Sequence, residues 1–226
     1  MEKDKFEEER KKYNDWWNNL KKKHSLAGSF KDKVEKCDFP IRFEFFGKFM
    51  KEGDNVLDCG CQDGYQLYYH MTENKVKGYG IDISDESIED CKKNLETNIL
   101  VRDIIHGAVE KMPFVDNTFD VVYSSQMLEH LENPQEAIAE QFRVCKTGGF
   151  IINSVPINRE LMCENHKHFF RFYDLIDLFD TLGCDYKIHK YWKFHRKHDY
   201  NMYIIVAQKG KPIGKNDEVE ANKIDR

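Results

Sequence analysis

From Val56 onward, short apolar runs alternate with longer amphipathic stretches. Runs of strand length stand at 55–59, 76–81, about 99–105, 119–123 and 150–155. Between them, helical spacing of apolar positions fills about 64–74, 84–97 and 134–145. Ser84, with Ser87 three residues on, supplies capping chemistry at one helix start, and Pro134 opens another. Gly148 and Gly149 read as the stop of that last helix, and Arg102 and Asp103 as an interruption of the third strand. A helix over 172–182, ended by Gly183, follows an irregular stretch. Two β-rich runs, 186–194 and 200–208, then stand close enough to pair as a hairpin. Repeated β–α alternation closed by a hairpin predicts an α/β fold. Its sheet has seven strands, mostly parallel, with a C-terminal antiparallel hairpin and helices on both faces.

Before the first strand, Tyr13, Trp16, Trp17 and Leu20 mark one face of a helix. Residues 1–29 therefore read as a helical cap, either packed on the domain or serving as a lid over a ligand. Phe39, Phe43, Phe46, Phe49 and Met50 predict a further helix, with Pro40 near its start and Gly53 as its stop. Residues 30–208 form the main domain, and 209–226 read as a polar, disordered tail.

Composition narrows the function classes. The 226 residues are 40% hydrophobic and 33% charged, as in a soluble globular chain. A net charge of −5 supplies no basic field for nucleic acid or anionic membrane. No apolar run reaches the length of a membrane span. The N-terminus lacks export-signal chemistry, so the seven cysteines are expected reduced and the chain cytoplasmic.

In a parallel sheet, ligands bind beyond the carboxyl ends of the strands. Strand one ends in Asp58 and passes Gly60 and Gly64, a turn that lets backbone approach a ligand closely. Strand two ends in Asp82, whose carboxylate suits the hydroxyls of a ribose. The spacing is not the G-x-G-x-x-G of a nicotinamide enzyme, and Asp58 and Asp63 are unwelcome beside a pyrophosphate.

Read together, V-L-D-C-G-C-Q-D-G at 56–64, G-I-D-I-S at 80–84, G-A-V-E-K-M-P-F at 107–114, F-D-V-V at 119–122, L-E-H-L at 128–131 and G-G-F-I-I-N-S-V-P at 148–156 carry a family pattern. The chain resembles a class I S-adenosylmethionine-dependent methyltransferase of the type acting on small molecules. The resemblance implies a Rossmann-like fold and S-adenosyl-L-methionine as cofactor. It also implies roles. Asp58, Gly60, Cys61 and Gly64 line the methionine end, Asp82 takes the ribose hydroxyls, and Ile83 packs on the adenine. Ala108 and Val109 lie at the adenine edge, and Ser125 lies near the methionine and the transferred methyl. The absence of lysine and arginine from 58–74 suits a sulfonium. Two positions depart from the pattern: Gln62 stands where relatives often carry glycine, and Ala108 where many carry an acid.

The acceptor has weaker signals. Residues 124–127 read S-S-Q-M, without the D-P-P-Y-like motif of nucleic-acid amino methyltransferases, so a small-molecule acceptor is expected instead. It takes the methyl on oxygen or nitrogen, and both sugar-type acceptors and quinone- or lipid-like precursors fit. His166 and His168 are candidate general bases, with His130 in either an acceptor-side or a structural role. Cys163, His166 and His168 have metal-ligand chemistry, but no fourth ligand is evident and no metal is assigned. His195, Arg196, Lys197 and His198 form a basic hairpin tip, either solvated or facing an anionic acceptor. A non-catalytic cofactor-binding or scaffold protein of the same fold is the alternative that Gln62 and Ala108 leave open.

Overall fold

The computed structural model describes residues 7–15, 18, 40–157, 165–193, 200–210 and 220–223. Trp16, Trp17, Leu20, Phe39, Cys163 and the basic tip 195–198 lie outside them. The chain divides into two compact units, Met1–Pro113 and Phe114–Arg226.

In the first unit, helix α1 (Pro40–Gly47) leads to strand β1 (Asn55–Cys59). Helix α2 (Tyr65–Glu73), strand β2 (Lys77–Asp82), helix α3 (Asp85–Leu95) and strand β3 (Val101–His106) follow. β1 pairs with β2 and β2 with β3, both in parallel. Val56, Leu57 and Ile81 are fully buried, as a parallel strand with both faces covered requires. Helix α1 stops at Gly47, earlier than Gly53, which instead takes φ 84° in the turn before β1. Its Phe43 buries against the rings of Tyr65 and Tyr69 on α2, with centroids 5.1 and 5.3 Å away. A register shift opposite Gly78 and Tyr79 leaves Arg102 as a bulge, the interruption expected in β3.

The second unit holds strand β4 (Phe119–Ser125), a 3₁₀ turn (Leu128–His130) and helix α4 (Pro134–Val144). Strand β5 (Cys145–Pro156), helix α5 (Phe172–Asp180) and strands β6 (Asp185–Lys193) and β7 (Tyr200–Gln208) complete it. β5 runs parallel to β4, and β7 lies antiparallel to both β5 and β6. An eighth strand, β8 (Glu220–Lys223), pairs parallel with β6 within the segment expected to be a disordered tail. It adds to the seven strands of the expected fold.

The Gly148–Gly149 pair does not end α4. That helix stops at Val144, and β5 begins at once with Cys145 opposite Phe119. The glycines lie in a bulge, because Val121 pairs next with Phe150. A Cβ on Gly149 would meet the Asp120 carbonyl at 2.6 Å, so close backbone approach explains the residue. Among the described residues no helix is long and apolar enough to cross a membrane.

Candidate functional site

In the first unit, the expected cofactor residues gather at the C-terminal ends of β1, β2 and β3. The β1 loop is tied to β2 at once: the N–H groups of Gly60 and Cys61 both donate to the Ile81 carbonyl, at 2.8 and 3.1 Å. Gly60 and Gly64 both have positive φ, 78° and 79°. A Cβ on Gly64 would stand 2.6 Å from Cys91 Sγ, so helix α2 can leave the loop this close to α3 only from a glycine. Gln62 also sits in the left-handed region, at φ 48°, although it carries a side chain.

Asp82 organises the loop. Its Oδ2 accepts the Gln62 N–H at 3.0 Å, and its Oδ1 accepts the Ser84 N–H at 2.9 Å. Each oxygen retains lone-pair capacity for a further donor. Burial pushes the carboxyl above its ordinary range, against the pull of these N–H donors. Asp58 is also buried at the end of β1. Ile83, just past Asp82, is half-buried and presents apolar surface. Ala108 is half-buried and Val109 buried. The Gly107 N–H donates to the Asp82 carbonyl at 2.9 Å, which fixes where that segment starts.

Cys61 has a different placement from the one its loop position suggests. Its side chain is 4% exposed, with Sγ where a Cβ on Gly80 would meet it at 2.8 Å. A hydrogen bond with Cys91 and then burial push the thiol well above its ordinary range. The thiol is a core group, and what this residue offers a ligand is backbone.

The helical run 7–15 reaches the same corner. Ser84 Oγ donates to Asn14 Oδ1 at 2.7 Å, and Arg10 pairs with Asp85. His106 Nε2 lies 3.0 Å from both the Ile83 carbonyl and Asp85 Oδ1. The aromatic pattern of the N-terminal segment drew attention to one helix face and passed over Arg10 and Asn14, polar residues with no spacing signal. His106 was legible only as the end of β3.

In the second unit, Ser125 ends β4, and among the described residues its Oγ is shielded from solvent without a hydrogen-bond partner. The chain turns there through Gln126, at φ 55°, whose N–H donates to the Ser154 carbonyl at 3.0 Å. The following 3₁₀ turn is strapped by the segment after β5. The N–H groups of Lys167 and His168 donate to the Glu129 carbonyl at 2.7 and 3.1 Å, and Lys167 Nζ pairs with Glu132 at 2.5 Å. This brings His130 and His166 ring to ring, with centroids 4.6 Å apart and planes at 80°. His130 Nδ1 lies 3.3 Å from the Asn165 carbonyl. His168 instead stacks on Phe170 at 5.5 Å. His166 Nδ1 and His168 Nε2 are shielded, with no hydrogen-bond partner among the described residues. Burial also lowers the His166 imidazole from its ordinary value. Glu129, overlooked in the sequence as a mere neighbour of His130, is 1% exposed.

In the first unit, these groups fit a nucleoside: a carboxylate with spare lone pairs suits vicinal hydroxyls, and the half-buried Ile83 suits a purine face.

Residues 57–153 match the family model described as a methyltransferase domain. The chain is similar to an uncharacterised methyltransferase of Schizosaccharomyces pombe, 33% identical over 46% of this chain and 40% of the relative. It is 28% identical to ajmaline N-methyltransferase of Rauvolfia serpentina over 64% of this chain and 55% of the relative. The matched regions thus span about half the length of these curated relatives. Among solved structures, it resembles phosphoethanolamine N-methyltransferase 2 of Haemonchus contortus, bound to phosphomonomethylethanolamine and S-adenosylhomocysteine. The TM-score is 0.65 at 14% identity, covering 76% of this chain and 52% of the other. At that identity the likeness is one of fold.

Proposed function

We propose, for a chain whose residues 57–153 belong to the class I S-adenosylmethionine-dependent methyltransferases, that it transfers a methyl group to an oxygen or nitrogen of a small molecule. The carrying observation is Asp82: a buried carboxylate at the end of β2, held by two backbone N–H groups and with acceptor capacity left over.

Asp82 takes the ribose hydroxyls, Ile83 lies on the adenine, and Ala108 and Val109 flank its edge. Backbone of the 58–64 loop holds the methionine end. S-adenosylmethionine supplies the methyl and leaves as S-adenosylhomocysteine. The protein's part is alignment of the acceptor and, for a hydroxyl, removal of its proton. His130, His166 and His168 are the candidate bases for that step. The acceptor is a sugar-type molecule or a quinone- or lipid-like precursor. Net charge −5 and the S-S-Q-M segment at 124–127 argue against a nucleic acid. The free thiols of Cys59, Cys61, Cys91, Cys145 and Cys184 suit a reducing compartment such as the cytoplasm.

A second reading, a cofactor-binding protein without turnover, draws on Gln62 at φ 48° and on Ala108. Two measurements separate the readings. Calorimetry with S-adenosylmethionine is expected to show one site, and silence at high micromolar cofactor rejects both. Isotope-labelled cofactor incubated with a metabolite extract is expected to label a small product; binding without any labelled product favours the second.

A further inference from the structure

We infer that Glu129, His130 and His166 form a binding site for a first-row divalent cation such as Zn²⁺. Their ligand atoms, one from each residue, lie within 4.8 Å of one another. Two imidazoles and a carboxylate are a donor set that zinc and its first-row neighbours accept. Bonds near 2.0–2.2 Å need donors somewhat closer than this, a distance that small side-chain rotations cover.

The surroundings favour ligation over a chance grouping. The backbone that carries all three is held in place. The 3₁₀ turn carries Glu129 and His130, and the paired hydrogen bonds from Lys167 and His168 to the Glu129 carbonyl clamp His166 beside them. With Nδ1 donating to the Asn165 carbonyl, His130 keeps the Nε2 lone pair for a metal. A second hydrogen bond of this kind commonly orients a ligating histidine. His166 Nδ1 is shielded and has no hydrogen-bond partner among the described residues. Glu129 is 1% exposed, so its carboxylate lies in a site shielded from solvent.

This set differs from the Cys163, His166 and His168 trio that sequence spacing suggests. His166 is common to both, but its partners come from the turn after β4. Three protein ligands leave coordination positions open, where water or an oxygen of the acceptor binds. Ligation also removes His130 and His166 from the candidate bases and leaves His168.

The test uses the full chain, stripped with a chelator and titrated with Zn²⁺ by calorimetry. Binding is read without turnover, so the result stands apart from the methyl-transfer proposal. One equivalent is expected to bind and to raise Tm. Glu129→Gln and His166→Ala each weaken binding tenfold or more, while His168→Ala keeps full stoichiometry. Circular dichroism of the metal-free variants checks that they fold. Should Glu129→Gln misfold, Co²⁺ added to the unmodified chain gives a visible spectrum that reports nitrogen and oxygen ligands directly. Two results overturn the inference: a folded unmodified chain that takes up no Zn²⁺ at high micromolar metal, or undiminished binding in folded His130→Ala and His166→Ala.

Discussion

The backbone N–H of Gln62 donates to Asp82 Oδ2 at 3.0 Å. One hydrogen bond thus joins the loop after β1 to the carboxylate at the end of β2, twenty residues on. It gives Asp82 two tasks, holding the loop and receiving a ligand. Asp82→Ala should therefore weaken S-adenosylmethionine binding about 10- to 100-fold and also lower Tm, because two backbone N–H groups, that of Ser84 buried, lose their acceptor. Calorimetry and thermal denaturation read the two effects. Unchanged affinity would remove Asp82 from the ribose assignment.

Gln62 adopts φ 48°, a conformation that a residue with a Cβ enters at an energetic cost. Gln62→Gly removes that strain but gives the unfolded chain more freedom. A net gain of about 0.5–1 kcal/mol is expected, read as a higher urea midpoint. A lower midpoint would show that the glutamine side chain makes a contribution larger than its strain.

His70 lies fully buried on α2, its Nδ1 3.1 Å from Asn74 Oδ1, and burial lowers its pKa from 6.5 to about 4. The folded chain keeps it neutral while the unfolded chain protonates it first. Its contribution is therefore complete above pH 6.5 and is lost as pH falls from 6.5 to about 4. The loss amounts to roughly 3 kcal/mol. Urea unfolding across that window should show a steeper decline for the unmodified chain than for His70→Gln. Parallel profiles would place the acid sensitivity elsewhere.

His168 stacks on Phe170, and its Nε2 has no hydrogen-bond partner among the described residues. If it removes the acceptor proton, His168→Ala lowers kcat by about 10²- to 10⁴-fold and leaves cofactor affinity unaltered. Turnover must be measured once an acceptor is found in the labelled extract. Full turnover in this variant would mean that the acceptor loses its proton without His168.

The sequence showed the fold wherever local and tertiary preferences agree. β1, β2, β4 and β7 lie close to their apolar runs, because buried parallel and central strands are nearly continuous in hydrophobicity. Ser84 was read correctly as a cap, and its Oγ accepts the Ser87 N–H at 3.2 Å. Gly148 and Gly149 were misread because glycine marks both a helix stop and a strand bulge, and only the partner strand distinguishes them. At the candidate site, Asp82 was legible because strand ends are predictable. The meeting of Glu129, His130 and His166 was not, since it depends on a segment 36 residues beyond His130 folding back onto the turn. Arg10 and Asn14 were likewise invisible, because single polar contacts leave no periodicity.

Strand β7 lies between β5 and β6, although it follows both in the chain. Until Tyr200–Gln208 leaves the ribosome, the edge of β5 and the facing edge of β6 each present an unsatisfied row of amide and carbonyl groups. The second unit therefore completes this part of its sheet only after β7 has emerged, by insertion of that strand between two that precede it. A nascent chain stalled before residue 200 carries open strand edges of the kind that chaperones shield and that pair wrongly with other chains.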